Sequence, residues 1–236
     1  MLIFAFETSA KAGSVALMDE NRLLGESYCN TGLTHSQTLL QMGQDLLKSC
    51  GFTAQDVTAV AVAAGPGSFT GVRIGVAAAK GFSWARELPC LGVSTLEAMA
   101  LNLGTYEGIV CPVMDARRSQ VYNALFEAKN GTLTRITEDR AIALADLKTE
   151  LKKFRKPIFL VGDGSILCYN TLKAEIPALI LPPEHRMHQR AAGVALAARA
   201  QLSRGIAPGG GALIPNYLRL SQAERERLEK EKKGAD

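Results

Sequence analysis

The sequence lacks the features that identify several large classes of protein. Among its 236 residues, no apolar stretch reaches the roughly 20 residues that a membrane-spanning helix needs. The first residues, MLIFAFE, carry no basic segment and reach Glu7 too early for a secretory signal peptide. We therefore expect a cytoplasmic protein that contacts no membrane.

Signals for metal binding and for disulfides are also scarce. The five cysteines are odd in number and too far apart in sequence to form a zinc knuckle or a redox pair. Only three histidines are present, and His185 and His188 have no acidic residue or cysteine at ligand spacing beside them. The sequence predicts no metal site, and we interpret the cysteines as small buried hydrophobic residues.

Neither charge sign dominates the chain. The formal net charge is +4, and segment 221–236 contains five basic and five acidic residues, so the rest of the chain carries the excess. Such a mild bias is compatible with an RNA-bearing complex but does not predict one. With 47% hydrophobic and 21% charged residues, the composition is typical of a globular protein with a substantial core.

The pattern of apolar runs and turn residues predicts one order of elements that occurs twice: three strands, a helix, a strand and a second helix. The first copy is predicted at Leu2–Thr8, Ser14–Asp19, Leu23–Tyr28, 34–50, Val57–Ala63 and Thr70–Arg86, followed by a strand at Pro89–Val93 and a helix at Ser94–Leu103. The second is predicted at Ile109–Asp115, Gln120–Lys129, Leu133–Ile142, Ala145–Phe154, Pro157–Val161 and Ser165–Glu175, followed by a strand at Ala178–Leu181.

Two α/β lobes with mixed sheets flanked by helices follow from this repeat. We place the first lobe at 1–104 and the second at 105–186. A long, alanine-rich helix is predicted at Met187–Arg204, and residues 187–220 join the first lobe. The charged segment 221–236 is predicted to be a flexible tail.

The segment AAGPGSFTGVRIG, residues 63–75, joins an apolar strand to a helix. A glycine-rich turn before a helix is typical of phosphate sites. However, Gly65, Gly67 and Gly71 are spaced one residue too widely for a dinucleotide fingerprint, and no Lys-Ser or Lys-Thr follows. The alternative is a tight connection in which glycine supplies unusual backbone angles.

The helix after this segment carries small residues at four-residue spacing: Gly71, Gly75, Ala79 and Ser83. A glycine inside a helix costs about 1 kcal/mol relative to alanine. Close approach of another backbone offsets such a cost, and from the pattern alone that backbone belongs either to the same lobe or to another molecule.

Four segments together resemble a known family. AAGPGSFTGVRIG, with THSQTLL before it, MDARRSQVY in the middle and IPNYLRL near the end, is similar to the bacterial TsaB (YeaZ) family of tRNA threonylcarbamoyladenosine biosynthesis proteins. The motifs occur in the family's order over nearly the whole chain. The resemblance implies two actin-like, ribonuclease-H-like lobes (the ASKHA fold), with the last helix packed on the first lobe.

The resemblance also implies a function. The chain would be a non-catalytic partner of the larger paralogue TsaD, with the ATPase TsaE joining the pair. Together they transfer a threonylcarbamoyl group from threonylcarbamoyl-adenylate to N6 of adenosine 37 in tRNAs that read codons beginning with A. The paralogue's metal-binding histidine pair falls on Thr95 and Met99 here, which are poor ligands for a transition metal.

A partner surface on the first two helices is implied by the same resemblance, formed with the paralogue or, in its absence, in a homodimer. Val76→Glu is accordingly predicted to block pairing. The implied interface residues are His35, Ser36, Leu39, Leu40, Met42, Gly43, Gly71, Val72, Arg73, Gly75, Val76, Ala79 and Lys80.

A vestigial nucleotide cleft is the second implied site. No cofactor of the chain's own is expected, and ATP or ADP would lie at the interface of the complex. The alternative hypothesis is an independent ATP-using enzyme of the actin-like group. The candidate cleft residues are Glu7, Thr8, Ser9, Gly65, Gly67, Ser68, Asp115, Gly162 and Gly164.

Overall fold

A computed structural model of the chain describes residues 1–219, and its first lobe is built on a five-stranded mixed sheet. The strands are β1 (Leu2–Glu7), β2 (Gly13–Asp19), β3 (Leu23–Cys29), β4 (Ala59–Gly65) and β5 (Cys90–Ser94). Their order in the sheet is β3-β2-β1-β4-β5, with β1, β4 and β5 parallel and β2 antiparallel to both neighbours.

The second lobe repeats this topology. Its strands are β6 (Gly108–Asp115), β7 (Gln120–Asn123), β8 (Phe126–Lys129), β9 (Thr132–Arg135), β10 (Arg140–Ala143), β11 (Ile158–Val161) and β12 (Leu179–Ile180). The order β10-β7-β6-β11-β12 matches that of the first sheet, and the β8–β9 hairpin pairs with the start of β6. The predicted fold class, two actin-like lobes with mixed sheets, is confirmed.

Helices cover both faces of the first sheet. The α-helices within residues 1–219 are α1 (His35–Ser49), α2 (Phe69–Trp84), α3 (Thr95–Leu101), α4 (Leu144–Leu151), α5 (Ser165–Leu172), α6 (Glu184–Met187) and α7 (Ala191–Ser203). Side chains alternate along β1, so Phe4 and Phe6 pack under α1 and α2, while Ile3 and Ala5 pack under α7. Among residues 1–219, no helix combines the length and apolar character needed to span a bilayer.

The predicted strand Gln120–Lys129 is two strands. Pro112 in β6 has no amide hydrogen to donate. The hydrogen-bond ladder on the side of β6 that pairs with β7 and β8 is therefore interrupted there. The Asn123 side chain fills the gap by donating to the carbonyls of Pro112 and Ala124, both at 3.0 Å. The predicted strand Leu133–Ile142 is likewise two strands, because its halves pair with different neighbours.

The predicted helix Met187–Arg204 begins later than expected, since α7 starts at Ala191, and the short α6 ends at Met187. Two side chains of the first sheet accept hydrogen bonds at the start of α7: Ser14 from the amide of Ala191 at 2.7 Å, and Glu26 from that of Ala192 at 3.1 Å. The first amides of a helix have no partner within the helix, and here two of them donate to residues that are distant in sequence. The local sequence therefore does not reveal where α7 starts. The predicted flexible tail at 221–236 lies outside the described residues.

Candidate functional site

A cleft of about 680 Å³ lies between the two lobes. The turn after β1, the glycine segment before α2 and the end of β6 line it. Of the predicted cleft residues, Ser9, Gly67, Ser68 and Asp115 line this space. Glu7 and Thr8 are fully buried at and just after the end of β1.

The remaining predicted cleft residues, Gly65, Gly162 and Gly164, serve backbone packing. A Cβ at Gly65, whose φ is +121°, would overlap the carbonyl of Asn216. A Cβ at Gly162 would overlap the carbonyl of Val113, and one at Gly164 would lie 3.1 Å from the Asp115 amide. These glycines allow close contact between segments that the sequence places far apart.

The glycine segment does not present a phosphate cradle built on its Ser68 and Gly71 amides. The Ser68 amide donates to the Ser9 carbonyl at 2.7 Å. The Gly71 amide donates to the Ser68 side chain, which caps α2. Two amides that a cradle would direct at its ligand are therefore already paired within the chain.

Glu7 is a fully buried carboxyl group at the end of β1. Its Oε1 accepts a 2.6 Å hydrogen bond from the Ser9 amide, while Oε2 has no hydrogen-bond partner among residues 1–219. Burial is the main reason that the pKa of Glu7 is raised to about 7, and the negative charge of Asp163 raises it further. Near neutral pH the protonated form is therefore substantially populated.

Residues 208–219, which we call the C-terminal strap, run along the first lobe and reach the cleft. Leu213 is buried in the core under α2, and the Asn216 amide donates to the Ala64 carbonyl at 2.7 Å. Tyr217 stacks on Phe69 with ring centroids 4.8 Å apart and accepts a 2.8 Å hydrogen bond from Arg73. The strap thereby connects α2 to one wall of the cleft.

The turn at the end of β6 is made of three successive residues with left-handed backbone. Arg117, Arg118 and Ser119 have φ values of 61°, 54° and 56°. This conformation costs roughly 1–2 kcal/mol for each residue other than glycine. Two backbone hydrogen bonds between Gln120 and residues 116 and 117 close the turn. Three more hold it from outside or from its flank: Arg117 N–H to Asp115 Oδ1 at 2.7 Å, Leu144 N–H to the Ser119 carbonyl at 3.0 Å, and Arg219 to the Ala116 carbonyl at 2.6 Å.

The predicted interface residues of α1 and α2 divide into two groups. Ser36, Leu40 and Arg73 are exposed, and His35 and Lys80 are partly buried. His35 ties α1 to the turn after β1, since its Nε2 lies 2.7 Å from the Ala10 carbonyl oxygen. The inward group is buried in the first lobe and consists of Leu39, Met42, Gly43, Gly71, Val72, Gly75, Val76 and Ala79.

The small-residue stripe Gly71, Gly75, Ala79 and Ser83 packs inside its own lobe. A Cβ at Gly71 would overlap the Thr8 carbonyl, and one at Gly75 would overlap the Thr8 side chain. Ser83 lies against Gly210 of the strap. The prediction that this stripe contacts a partner's helix is therefore corrected: Thr8, just after β1, and Gly210 of the strap approach it within the same lobe.

A second stripe on α2 points outward; its first three members lie two residues after those of the small-residue stripe, and its last is Trp84 at the end of the helix. It consists of Arg73, Ala77, Gly81 and Trp84, which we call the outward stripe. Trp84 is 76% exposed, and a Cβ at Gly81 would meet no atom within 4 Å among the residues described. Sequence reasoning missed this stripe because both faces of α2 carry small residues at four-residue spacing.

These two environments predict opposite effects for two glycine-to-alanine substitutions in α2. We expect Gly71→Ala to reduce the free energy of unfolding by about 1–3 kcal/mol, because backbone must move to admit the methyl group. Gly81→Ala should increase it by roughly 0.5–1 kcal/mol, because alanine favours helix and the site is open. Urea denaturation measures both, and equal effects would contradict this packing.

Thr95 and Met99, where the family resemblance places the paralogue's histidine pair, are both fully buried. The sulfur of Met99 lies beside Gly162, and the Thr95 hydroxyl has no hydrogen-bond partner within the described residues. Across residues 1–219, no three His, Cys, Asp or Glu side chains come together as a metal site.

Comparisons with known proteins show which family this chain is similar to. The family model for TsaD, tRNA N6-adenosine threonylcarbamoyltransferase, matches residues 30–227. The tRNA threonylcarbamoyladenosine biosynthesis protein TsaB of Bacillus subtilis is 32% identical over 233 residues, which covers 98% of this chain and 100% of the relative.

Two solved structures resemble the chain. One is an uncharacterized Pseudomonas aeruginosa protein with similarity to peptidase YEAZ; it is 26% identical, with a TM-score of 0.77 over 92% of this chain and 99% of that one. Component A of (R)-2-hydroxyglutaryl-CoA dehydratase from Acidaminococcus fermentans is 10% identical, with a TM-score of 0.52 over 86% of this chain and 99% of that one, and shares the fold alone. With a relative of this identity matched from end to end, the chain belongs to the TsaB (YeaZ) family of tRNA threonylcarbamoyladenosine biosynthesis proteins.

Proposed function

We propose that the chain acts in tRNA threonylcarbamoyladenosine synthesis as a non-catalytic subunit that binds the TsaD paralogue and makes it competent for transfer. The observation that carries this proposal is the outward stripe of α2. It is small and uncharged at its centre, Ala77 and Gly81, and ends in the exposed Trp84.

Such a surface suits a helix of another molecule. Small residues let two helix axes approach closely, and exposed large side chains supply anchors that lose water on binding. Leu40 of α1, the neighbouring helix on the same sheet face, is 64% exposed and adds an apolar side chain to this face. A TsaD helix pair would cover the face in the complex, and a second copy would cover it in a homodimer.

Several residues argue against chemistry of the chain's own. Thr95 and Met99 fall where the family resemblance places the paralogue's metal ligands, and both are buried. The Ser68 amide is already bonded to Ser9. In this proposal TsaE and tRNA join through the pair, and any ATP or ADP lies at the interface of the complex.

Size-exclusion chromatography with light scattering tests the pairing. We expect a homodimer for the chain alone and a heterodimer once the TsaD paralogue from the same cell is added. Independent elution of the two proteins at micromolar concentration would contradict the proposal.

A further inference from the structure

Basic side chains lie at the mouth of the cleft without an acidic partner among residues 1–219. Lys11 and Arg117 line the cleft, and Arg118, which follows Arg117 in the left-handed turn, is exposed. None of the three forms a salt bridge with a carboxylate in residues 1–219. Asp115, the nearest acid in sequence, accepts from the Arg117 amide instead.

Arg117 and Arg118 are held in an unfavourable backbone conformation. Three successive left-handed residues persist only where surrounding contacts over-determine them, and such strain is concentrated at ligand sites. Here the contacts from outside the turn come from the start of α4, which bonds the Ser119 carbonyl, and from Arg219 of the strap, which bonds the Ala116 carbonyl. The turn therefore presents Arg117 towards the cleft and leaves Arg118 outside it.

The position of Arg118 favours an extended anion over a small one. The cleft lining contains three basic residues, Lys11, Arg117 and Arg219, and two acidic residues, Asp115 and Asp163. Arg118 is not part of that lining, so a mononucleotide held in the cleft has no need of it. A phosphate backbone that crosses the mouth would contact Lys11, Arg117 and Arg118 in succession.

We propose that the turn Arg117–Ser119, together with Lys11, is a contact surface for the phosphate backbone of tRNA. The proposal rests on the proposed function, since it gives this subunit a direct part in holding the substrate of the complex. Contacts of this kind position the RNA without reading its sequence.

Fluorescence anisotropy with an unmodified tRNA transcript tests the proposal, on the full chain alone and on its complex with TsaD. We expect Arg118→Gln to weaken binding about five- to tenfold and to reduce the slope of log Kd against log salt by about one. Arg155→Gln is the matched control and should change neither quantity. Arg155 is an exposed arginine before β11, and because β11 runs parallel to β6 it lies at the end of the second sheet opposite to the turn after β6.

Two further readouts separate the alternatives. Arg118→Gly, which tolerates φ of 54°, should keep the melting temperature while weakening tRNA binding as Arg118→Gln does. Both variants should still co-elute with TsaD. Failure of the wild-type chain to co-elute would contradict the proposed function, whereas loss of co-elution in the Arg118 variants alone would place Arg118 in the TsaD interface and overturn this proposal. Unchanged tRNA affinity and salt slope, equal losses in Arg155→Gln, or weaker ADP binding with unchanged tRNA binding would each overturn the proposal.

Discussion

Ala77→Glu is expected to abolish pairing with the TsaD paralogue while leaving the stability of the free chain nearly unchanged. Ala77 is exposed at the centre of the outward stripe, and a surface substitution on a helix changes stability by about 0.5 kcal/mol or less. In the complex the new carboxylate would be buried without a partner, at a cost of about 3–5 kcal/mol. The dissociation constant should therefore rise by about 100-fold or more.

Val76→Glu, one residue earlier, should act on folding instead. Val76 is 5% exposed and packs in the core between α2 and the first sheet. A glutamate there would be buried inside the chain's own lobe. Val76→Glu therefore tests the stability of that lobe, and not the pairing with a partner that the sequence analysis predicted it would block. The expected result is a loss of several kcal/mol in the free energy of unfolding.

Calorimetric titration with TsaD and thermal melting separate these two effects. Asn170→Glu, an exposed position on α5 of the second lobe, adds the same charge away from the outward stripe and serves as the control. It should pair and melt as the wild type does. Wild-type affinity in a well-folded Ala77→Glu chain would contradict the assignment of the outward stripe.

Glu7→Gln is expected to stabilise the folded chain at pH 8 by about 3 kcal/mol and to have little effect at pH 5. Burial raises the pKa of Glu7 from 4.5 to about 7 in the folded chain. Between these two values the folded chain holds a proton that the unfolded chain has released, so wild-type stability falls as pH rises from about 4.5 to about 7. Glutamine is neutral throughout and keeps an oxygen for the Ser9 amide.

Urea denaturation at pH 5 and pH 8 measures this difference. Glu175→Gln is a suitable control, because two lysines hold the pKa of this exposed carboxyl at about 2, and it stays ionised over the whole range. Its effect should be the same at both pH values. If Glu7→Gln changed the free energy of unfolding equally at the two pH values, the Glu7 carboxyl would not be protonated in the folded chain.

The fold was predictable from the sequence because the signals for its elements are local. Alternating or continuous apolar runs marked β1, β4 and β6, and their repeated order indicated the duplicated topology. The break between β7 and β8, the break between β9 and β10 and the late start of α7 were not predictable from the same signals. The start of α7 depends on Ser14 and Glu26, which lie more than a hundred residues away in sequence.

The candidate site was predictable only in part. Glycine spacing correctly indicated that a backbone approaches α2 closely, and the backbone proved to be that of Thr8, in the same lobe. Which of two similar stripes faces inward depends on the rotation of α2 about its axis, and that is set by the whole core. The contact of Tyr217 with Arg73 joins residues 144 positions apart and left no local signal.

Threonylcarbamoyl transfer in a reconstituted mixture tests the central claim most directly. TsaD, TsaE, donor synthase, ATP, threonine, bicarbonate and unmodified tRNA would be combined with the wild-type chain, with the Ala77→Glu chain or with neither. The scaffold role predicts rapid formation of modified adenosine only with the wild-type chain, and a rate with Ala77→Glu close to that of the mixture without it. Equal product in all three mixtures would contradict the role.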